Sequence, residues 1–155
     1  MKLFNENIVR VHRTHDRAKL PTRAHTTDAG MDFFYCPRDE SCITLGPGES
    51  SLFQTGIKME VPPGHMLQIM NKSGIASKRS LLVGACVVDE GYTGEIFVNL
   101  HNVGTKPQTV EPGQKVAQGV FVVISKPSFA EITEDNIYGS ETTRGSGALG
   151  STGDV

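Results

Sequence analysis

Hydrophobic and polar residues alternate over short stretches of the chain. Ile96, Val98 and Leu100 stand at every second position, which is the pattern of a strand with one buried face. Residues 120–124 are all apolar, and this predicts a strand that is covered on both faces. By these patterns we predict strands at residues 57–61, 66–70, 95–101 and 116–124.

Pairs of proline and glycine separate these stretches. Glycine follows proline at Pro47-Gly48, Pro63-Gly64 and Pro112-Gly113, and such a pair suits a type II turn, whose second central residue has a positive φ. One short helix is predicted at residues 73–80. Short strands separated by turns are typical of all-β domains, so we predict a jelly-roll-like β-sandwich or barrel.

The C-terminal segment differs in composition from the rest of the chain. Residues 141–155 are rich in Gly, Ser and Thr, and apolar periodicity stops there. This composition is typical of a mobile tail. We therefore predict one β domain over residues 1–140 and a flexible tail over residues 141–155.

Composition and charge exclude several functional classes. The chain has 155 residues and a formal net charge of −2, so we expect one domain and no nucleic-acid partner. The sequence has neither an apolar run long enough to cross a membrane nor an N-terminal secretory signal, so no membrane partner is expected. The three cysteines form no CxxC pair, which favours reduced thiols and a cytoplasmic location, or the host cytoplasm if the protein is viral.

Three segments combine residue types that can act on a phosphate ester. Asp28 and Asp32 flank Gly30, and such carboxylates can hold the waters of a Mg²⁺ ion. Residues 71–74 place a lysine, a serine and a glycine together, which suits a phosphate, although a surface turn also explains them. Asp89 follows an apolar run, where partial desolvation would make its carboxylate a general base; a turn-capping role is the alternative.

Two further features surround these segments. The glycines of residues 89–95 predict a hairpin, with Tyr92 beside Asp89 at its mouth and able to present a flat ring to a sugar. Gly145 and Gly150 have the spacing of a P-loop, but Ser151 stands where that motif requires lysine. The tail is therefore either a phosphate-binding segment of another kind or a disordered tail without function.

The order of these segments resembles the five motifs of the trimeric dUTPase family. The matching segments are residues 29–32, 72–76, 87–95, 113–118 and 144–153. The resemblance implies a β fold of the dUTPase type and a homotrimer, with sites between subunits and the tail of one subunit closing over a site formed by the other two. It also implies Mg²⁺-dependent hydrolysis of dUTP to dUMP and pyrophosphate.

The resemblance also implies roles for particular residues. Asp89 is expected to deprotonate the attacking water, Gln118 to hold that water or the α-phosphate, and Arg144 to bind the γ-phosphate. Asp32 is expected to contact Mg²⁺ through water. The remaining substrate-binding residues are Lys72, Ser73 and Gly74 at the phosphates, Cys86, Val87 and Val88 at the uracil edge, Tyr92 under the deoxyribose, Phe97 near the uracil segment, and Leu149, Gly150 and Ser151 in the tail.

Three residues depart from the family pattern. Lys72 replaces an arginine, Cys86 replaces a glycine that would tolerate a positive φ, and Leu149 replaces an aromatic residue expected to stack on uracil. Two alternatives to the triphosphatase stay open. One is a dCTP deaminase or bifunctional enzyme of the same fold, and the other is a non-catalytic nucleotide-binding regulator.

Overall fold

The computed structural model describes residues 8–147. The chain forms two units, one ending at Ser125 and one beginning at Lys126. Over the described residues, the first unit contains eleven strands and one α-helix, and the second contains a 3₁₀ turn. The strands are β1 (Val11–Arg13), β2 (Met31–Phe34), β3 (Ile43–Leu45), β4 (Ser50–Gln54), β5 (Ile57–Met59), β6 (His65–Met70), β7 (Leu81–Val83), β8 (Val87–Val88), β9 (Phe97–Asn102), β10 (Gln108–Val110) and β11 (Lys115–Val123); the helix is α1 (Ser73–Arg79) and the 3₁₀ turn is Glu134–Asn136.

All strand pairs are antiparallel. The largest sheet has the strand order β2-β11-β6-β8, and a second sheet has the order β4-β9-β7. The pairs β1-β5 and β3-β10 form two small ribbons. β8 is therefore an edge strand, whereas β11 and β6 lie inside the largest sheet.

The two larger sheets share one hydrophobic core. β2 and β6 contribute Phe33 and Leu67, and the second sheet contributes Phe53, Val98 and Leu100. These five side chains are at most 1% exposed. The buried face of β9 follows the predicted alternation, with Val98 and Leu100 inside. The prediction of an all-β sandwich is confirmed.

The predicted turns are present at the three Pro-Gly pairs. Gly48, Gly64 and Gly113 have φ values of 78°, 73° and 84°. In each turn the residue after glycine donates a hydrogen bond to the carbonyl three positions earlier, at 3.1 to 3.2 Å. Positive φ at the second central residue, after proline, is the type II geometry.

The predicted helix is confirmed, and one prediction about a strand is wrong. α1 ends at Arg79, and Ser80 follows in the left-handed conformation with φ 53°, a common way to end a helix. The strand β11 is not covered on both faces at its end, because Val123 is 76% exposed in the chain. There β11 pairs only with β6, since β2 pairs no further than Gly119.

The second unit has little regular structure over its described residues. Beyond the 3₁₀ turn, Gly145 donates to the carbonyl of Thr142 and Gly147 to that of Arg144, both at 3.0 Å. The unit begins earlier in the chain than the predicted tail, and the assignment of residues 141–155 as a mobile tail stays a prediction. Within residues 8–147, no helix has the length and apolar character needed to span a membrane.

Candidate active site

A buried carboxylate lies between two lysines on the largest sheet. Asp32 of β2 is 4% exposed. The Lys72 Nζ lies 2.7 Å from its Oδ1, and the Lys115 Nζ lies 2.7 Å from its Oδ2. Both oxygens of Asp32 are thus ion-paired, which offsets the cost of burying the charge.

A β-bulge explains why Lys115 reaches Asp32. The register between β11 and β2 shifts between Lys115 and Ala117, so that Lys115 pairs with Phe34 and Gln118 pairs with Asp32. In a regular strand, residues three positions apart point to opposite faces. The extra residue of the bulge places Lys115 and Gln118 on one face, as bulges near functional sites often do.

The two lysines alter the acidity of the carboxylate. Burial acts to raise the pKa of Asp32, but the hydrogen bonds and positive charges of Lys115 and Lys72 outweigh it and hold the pKa below its ordinary value. Asp32 is therefore ionised at neutral pH.

This shift predicts an acid-dependent contribution of Asp32 to stability. A carboxylate whose pKa is lowered by folding stabilises the protein above its unfolded pKa of about 3.9, and the stabilisation is lost as the pH falls through the lower folded value. We expect Asp32→Asn to reduce the free energy of unfolding by about 1–2 kcal/mol at pH 7, because two charge-assisted hydrogen bonds are weakened. The difference in the free energy of unfolding between the two proteins should shrink below about pH 4.

Urea unfolding of both proteins between pH 7 and pH 3, in metal-free buffer, measures this difference. Asp135→Asn is the control, since Asp135 is exposed in the 3₁₀ turn of the second unit. A deficit that stayed constant down to pH 3 would show that packing, and not the charge of Asp32, causes it.

Gln118 lies beside Asp32 and depends on a glycine. Its Nε2 donates a hydrogen bond to the Asn71 carbonyl at 2.9 Å. A Cβ atom at Gly30 would lie 2.3 Å from the Gln118 Oε1 and 2.9 Å from its Cδ. A larger residue at position 30 would therefore require the end of the Gln118 side chain to move. Asp32, Lys72, Lys115 and Gln118 are called the Asp32 cluster below.

The start of α1 adjoins the Asp32 cluster. Lys72 immediately precedes the helix, and the exposed residues Ser73 and Gly74 are its first two positions. A Cβ atom at Gly74 would meet nothing within 4 Å. The structure therefore leaves open space at Ser73 and Gly74, next to the cluster.

Arg79 ties the other end of α1 to the segment that leads into β11. Its Nε donates to the Gln108 Oε1 at 3.1 Å, and its Nη1 donates to the Gln114 Oε1 at 3.2 Å. Its Nη2 also donates to the Thr109 carbonyl. Because Gln114 precedes Lys115, this network links the two segments that supply the lysines of the Asp32 cluster.

The predicted uracil segment coincides with the edge strand. The Cys86 carbonyl accepts a hydrogen bond from the Ile69 N–H at 2.7 Å. Because backbone groups alternate between the two sides of an antiparallel strand, those of Val87 point away from β6, toward the free edge. Cys86 is not among the residues with positive φ, so the substitution of cysteine for glycine carries no strain here.

A turn, not the predicted hairpin, follows β8. β8 pairs with β6, while the next strand, β9, pairs with β4 and β7. Tyr92 closes the turn by donating its N–H to the Asp89 carbonyl at 3.2 Å, and Gly91 has a φ of 87°. Asp89 is exposed in the chain, so the expected partial desolvation of its carboxylate is not present.

Tyr92 and Phe97 flank the exit from this turn. The Tyr92 hydroxyl donates to the Glu95 carbonyl at 2.9 Å. A Cβ atom at Gly94 would lie 2.3 Å from that hydroxyl and 2.5 Å from the ring, so glycine lets the ring lie close to the backbone. Tyr92 is 45% exposed and Phe97, at the start of β9, is 38% exposed.

The chain does not bring Asp89 and the Asp32 cluster together. Gln118 pairs with Met70 at the end of β6, whereas Val88, just before Asp89, pairs with Leu67. Continuing this register places Asp89 level with the start of β6, roughly 13 Å along the strand from the level of Gln118. β8 and β11 also lie on opposite sides of β6.

The tail residues are described only in part. Arg144 is exposed, and its Nε donates to the Gly147 carbonyl at 3.1 Å. Leu149, Gly150 and Ser151 lie outside the described residues. The roles predicted for these residues stay predictions.

Sequence reasoning did not assign a role to Lys115. Its only signal was its place inside the segment of residues 113–118, where a cation precedes an apolar strand. The bulge that directs it toward Asp32 cannot be recognised from the pattern of apolar residues. Val116 and Ala117 are adjacent and both buried, and a regular strand that is buried on both faces would show the same two apolar residues.

Comparison with known proteins identifies the family. The family model for dUTPase matches residues 16–153. The chain belongs to the dUTPase family. The matched range includes all of the dUTPase segments named above, from residues 29–32 to residues 144–153.

Relatives cover nearly the whole of this dUTPase-family chain. The deoxyuridine 5'-triphosphate nucleotidohydrolase of Clostridium novyi is 41% identical over 145 residues, covering 92% of this chain and 96% of that protein. The enzyme of the same name from Alkaliphilus metalliredigens is 40% identical over 153 residues, covering 97% and 99%.

Solved structures of phage dUTPases share the fold. The Staphylococcus bacteriophage 80alpha dUTPase with dUpNHpp has a TM-score of 0.83 and 26% identity, covering 95% of this chain and 99% of that one. A mutant dUTPase of the S. aureus phage phi11, described with a coordinated structural Mg(II) ion, has a TM-score of 0.75 and 25% identity, covering 83% and 98%. The prediction that the chain resembles dUTPases is thereby confirmed.

Proposed function

We propose that this chain hydrolyses dUTP to dUMP and pyrophosphate. The observation that carries the proposal is the Asp32 cluster, which lies beside the open start of α1 in a chain that matches the dUTPase family from residue 16 to residue 153. Two lysines and open backbone suit the phosphates of a nucleotide. The names of the bacterial relatives point to the same substrate.

The active site is shared between copies of the chain. Asp89 and Gln118 both act near the α-phosphate in the proposed reaction, yet within one chain they lie at different levels of β6 on opposite sides of it. A second copy can place its Asp89 turn against the Asp32 cluster of the first. A homotrimer with three such sites agrees with the family resemblance and with this separation.

The chemistry needs little beyond positioning and charge. Asp89 takes a proton from a water molecule, which attacks the α-phosphorus in line while pyrophosphate leaves. The Gln118 amide holds the water or an α-phosphate oxygen. Lys72, Ser73 and Gly74 bind the phosphate oxygens that gain charge in the transition state. Docking against a second copy would also remove water from the exposed Asp89 carboxylate.

The residues fit a magnesium ion only in an outer shell. Within residues 8–147, no three His, Cys, Asp or Glu residues are grouped to hold a metal. Mg²⁺ retains several waters and binds mainly through substrate phosphates, and Asp32 suits contact through such a water. When bound, the ion supplies charge neutralisation on the triphosphate.

The edge strand β8 suits recognition of a base by the backbone. The N–H and C=O groups of Val87 face the free edge of the sheet, and uracil presents one donor between two acceptors. Cys86 and Val88 flank this position, and Phe97 lies near the exit of the turn. Thymine would be rejected by crowding of its methyl group and cytosine by mismatched donors.

The tail completes the proposed site. Arg144 would bind the γ-phosphate, and Leu149, Gly150 and Ser151 would cover the nucleotide from a third subunit. The P-loop-like glycine spacing then serves an anion through converging backbone N–H groups, without the lysine of a true P-loop.

The proposal is tested by measuring pyrophosphate release from dUTP, dTTP, dCTP and UTP, with and without Mg²⁺. We expect rapid release only from dUTP and only with the metal. Ammonia release from dCTP would identify a deaminase of the same fold. Tight binding of dUTP without turnover would identify a regulator and refute hydrolysis.

Tyr92 gives a separate prediction about the sugar. We expect Tyr92→Ala to raise the hydrolysis of UTP relative to dUTP, because the ring would no longer crowd a 2′-hydroxyl. The ratio of kcat/KM for the two nucleotides measures the change, with Tyr138→Ala, an exposed tyrosine of the second unit, as the control. An unchanged ratio would show that another group rejects the ribonucleotide.

A further inference from the structure

Lys115 engages the half of the Asp32 carboxylate that Lys72 leaves. The Lys115 Nζ lies 2.7 Å from Oδ2, and the Lys72 Nζ lies 2.7 Å from Oδ1. The Asp32 side chain is 6% exposed, compared with 44% for Lys115 and 30% for Lys72. A buried anion is thus held between two cations that still face solvent.

The three side chains together carry one net positive charge. A free divalent cation near Asp32 is attracted by one carboxylate and repelled by two ammonium groups. The sum of these Coulomb energies opposes its binding. A divalent cation that arrives on a nucleotide triphosphate belongs to a complex with net negative charge. That complex is attracted to the same three side chains.

The bulge of β11 sets the direction of the Lys115 side chain. It turns Lys115 to the same face as Gln118, which pairs with Asp32 across the two strands, and the Lys115 ammonium group contacts the Asp32 carboxylate. Without Lys115, the Oδ2 atom would lose its cation, and Lys72 alone would hold the carboxylate through Oδ1. The position of Asp32 therefore depends on both lysines.

We propose that Lys115 is a positioning residue of this enzyme, which fixes Asp32 and makes the site accept a divalent cation only together with the nucleotide. The part of the inference that concerns dUTP hydrolysis rests on the proposed function. The part that concerns metal binding involves the protein alone and can be tested without any substrate.

The effect of Lys115 on metal binding is tested by titrating nucleotide-free protein with Mn²⁺. The decrease of the free Mn²⁺ signal in electron paramagnetic resonance gives the affinity. We expect Lys115→Gln to bind Mn²⁺ at least about tenfold more tightly than the wild type, because one repelling charge is removed. Lys115→Arg should match the wild type. Lys106→Gln, an exposed lysine between β9 and β10, is the control for a general change in net charge.

The effect of Lys115 on dUTP hydrolysis is tested by steady-state kinetics and by the binding of an imido analogue of dUTP. We expect Lys115→Gln to lower kcat/KM for dUTP by about tenfold or more, with a higher Mg²⁺ requirement, and Lys115→Arg to restore it to within about threefold. A purely structural role would not change Mn²⁺ binding by the folded, nucleotide-free protein. Thermal unfolding of each variant establishes that it is folded.

The outcomes separate the two proposals. Equal Mn²⁺ affinity in the wild type and Lys115→Gln overturns the charge argument, and unchanged kinetics of Lys115→Gln overturns the positioning role. If the wild type fails to hydrolyse dUTP, the proposed function fails, while the Mn²⁺ comparison still decides the charge argument.

Discussion

Replacing Asp89 with Asn is expected to slow dUTP hydrolysis by at least about a hundredfold, the lower range for loss of a positioned general base. The amide cannot accept the proton of the attacking water, although it keeps the size of the carboxylate. The Asp89 side chain is exposed after β8 in the single chain, so the substitution should leave the fold and the assembly intact. Single-turnover kinetics with Mg²⁺ and dUTP measure the chemical step.

Glu90→Gln is the matched control for Asp89→Asn. Glu90 is the next residue, and its Oε2 accepts a hydrogen bond from the Gly64 N–H at 3.1 Å, which a glutamine oxygen can also accept. This variant removes the same charge from the same turn. Near wild-type turnover of Asp89→Asn, or equal losses in both variants, would remove Asp89 from the role of general base.

A single methyl group at Gly30 is expected to lower kcat/KM for dUTP by about tenfold to a hundredfold. The added Cβ would lie 2.3 Å from the Gln118 Oε1, so the amide must leave the position in which it donates to the Asn71 carbonyl. A displacement of about 1 Å at a positioning group can cost a hundredfold in rate. Gly30 does not have a positive φ, so alanine introduces no backbone strain there.

The control for Gly30→Ala is Gly139→Ala. An added Cβ at Gly139 meets nothing within 4 Å, so this variant adds the same methyl group without a clash. Melting temperatures of both variants should stay near that of the wild type. Full activity of Gly30→Ala would mean that Gln118 has a second position that serves the reaction equally well.

The period of the apolar residues predicted much of the fold. The alternation at Ile96, Val98 and Leu100 identified the buried face of β9, because only one side of that strand meets the core. The Pro-Gly pairs located three turns, because proline followed by a residue with positive φ has few other geometries. These features are local, and local sequence determines them.

Features that depend on strand pairing were not predictable in this way. The apolar run at residues 120–124 suggested burial on both faces, but Val123 is 76% exposed in the chain. The glycines of residues 89–95 suggested a hairpin, but β8 and β9 join different sheets. The partners of a strand depend on the whole fold, which apolar periodicity does not report.

The roles of the candidate site residues stay predictions, and their arrangement could not be predicted from the sequence. Lys72 forms an ion pair with Asp32 and Gln118 pairs with Asp32 across two strands, whereas Asp89 lies at another level of β6 in the same chain. A resemblance in motif order cannot state which copy supplies which motif. Lys115 was missed because its direction depends on one extra residue in a strand.

That extra residue affects how the site can vary in evolution. Deletion of one residue between Lys115 and Gln118 would remove the bulge and leave the two residues two positions apart, where a regular strand keeps them on one face. Insertion of one further residue would instead turn them to opposite faces of the strand, unless a second bulge absorbed it. The contact of Lys115 with Asp32 therefore tolerates loss of the bulge, whereas a lengthening of β11 at this point takes the cation away from the carboxylate.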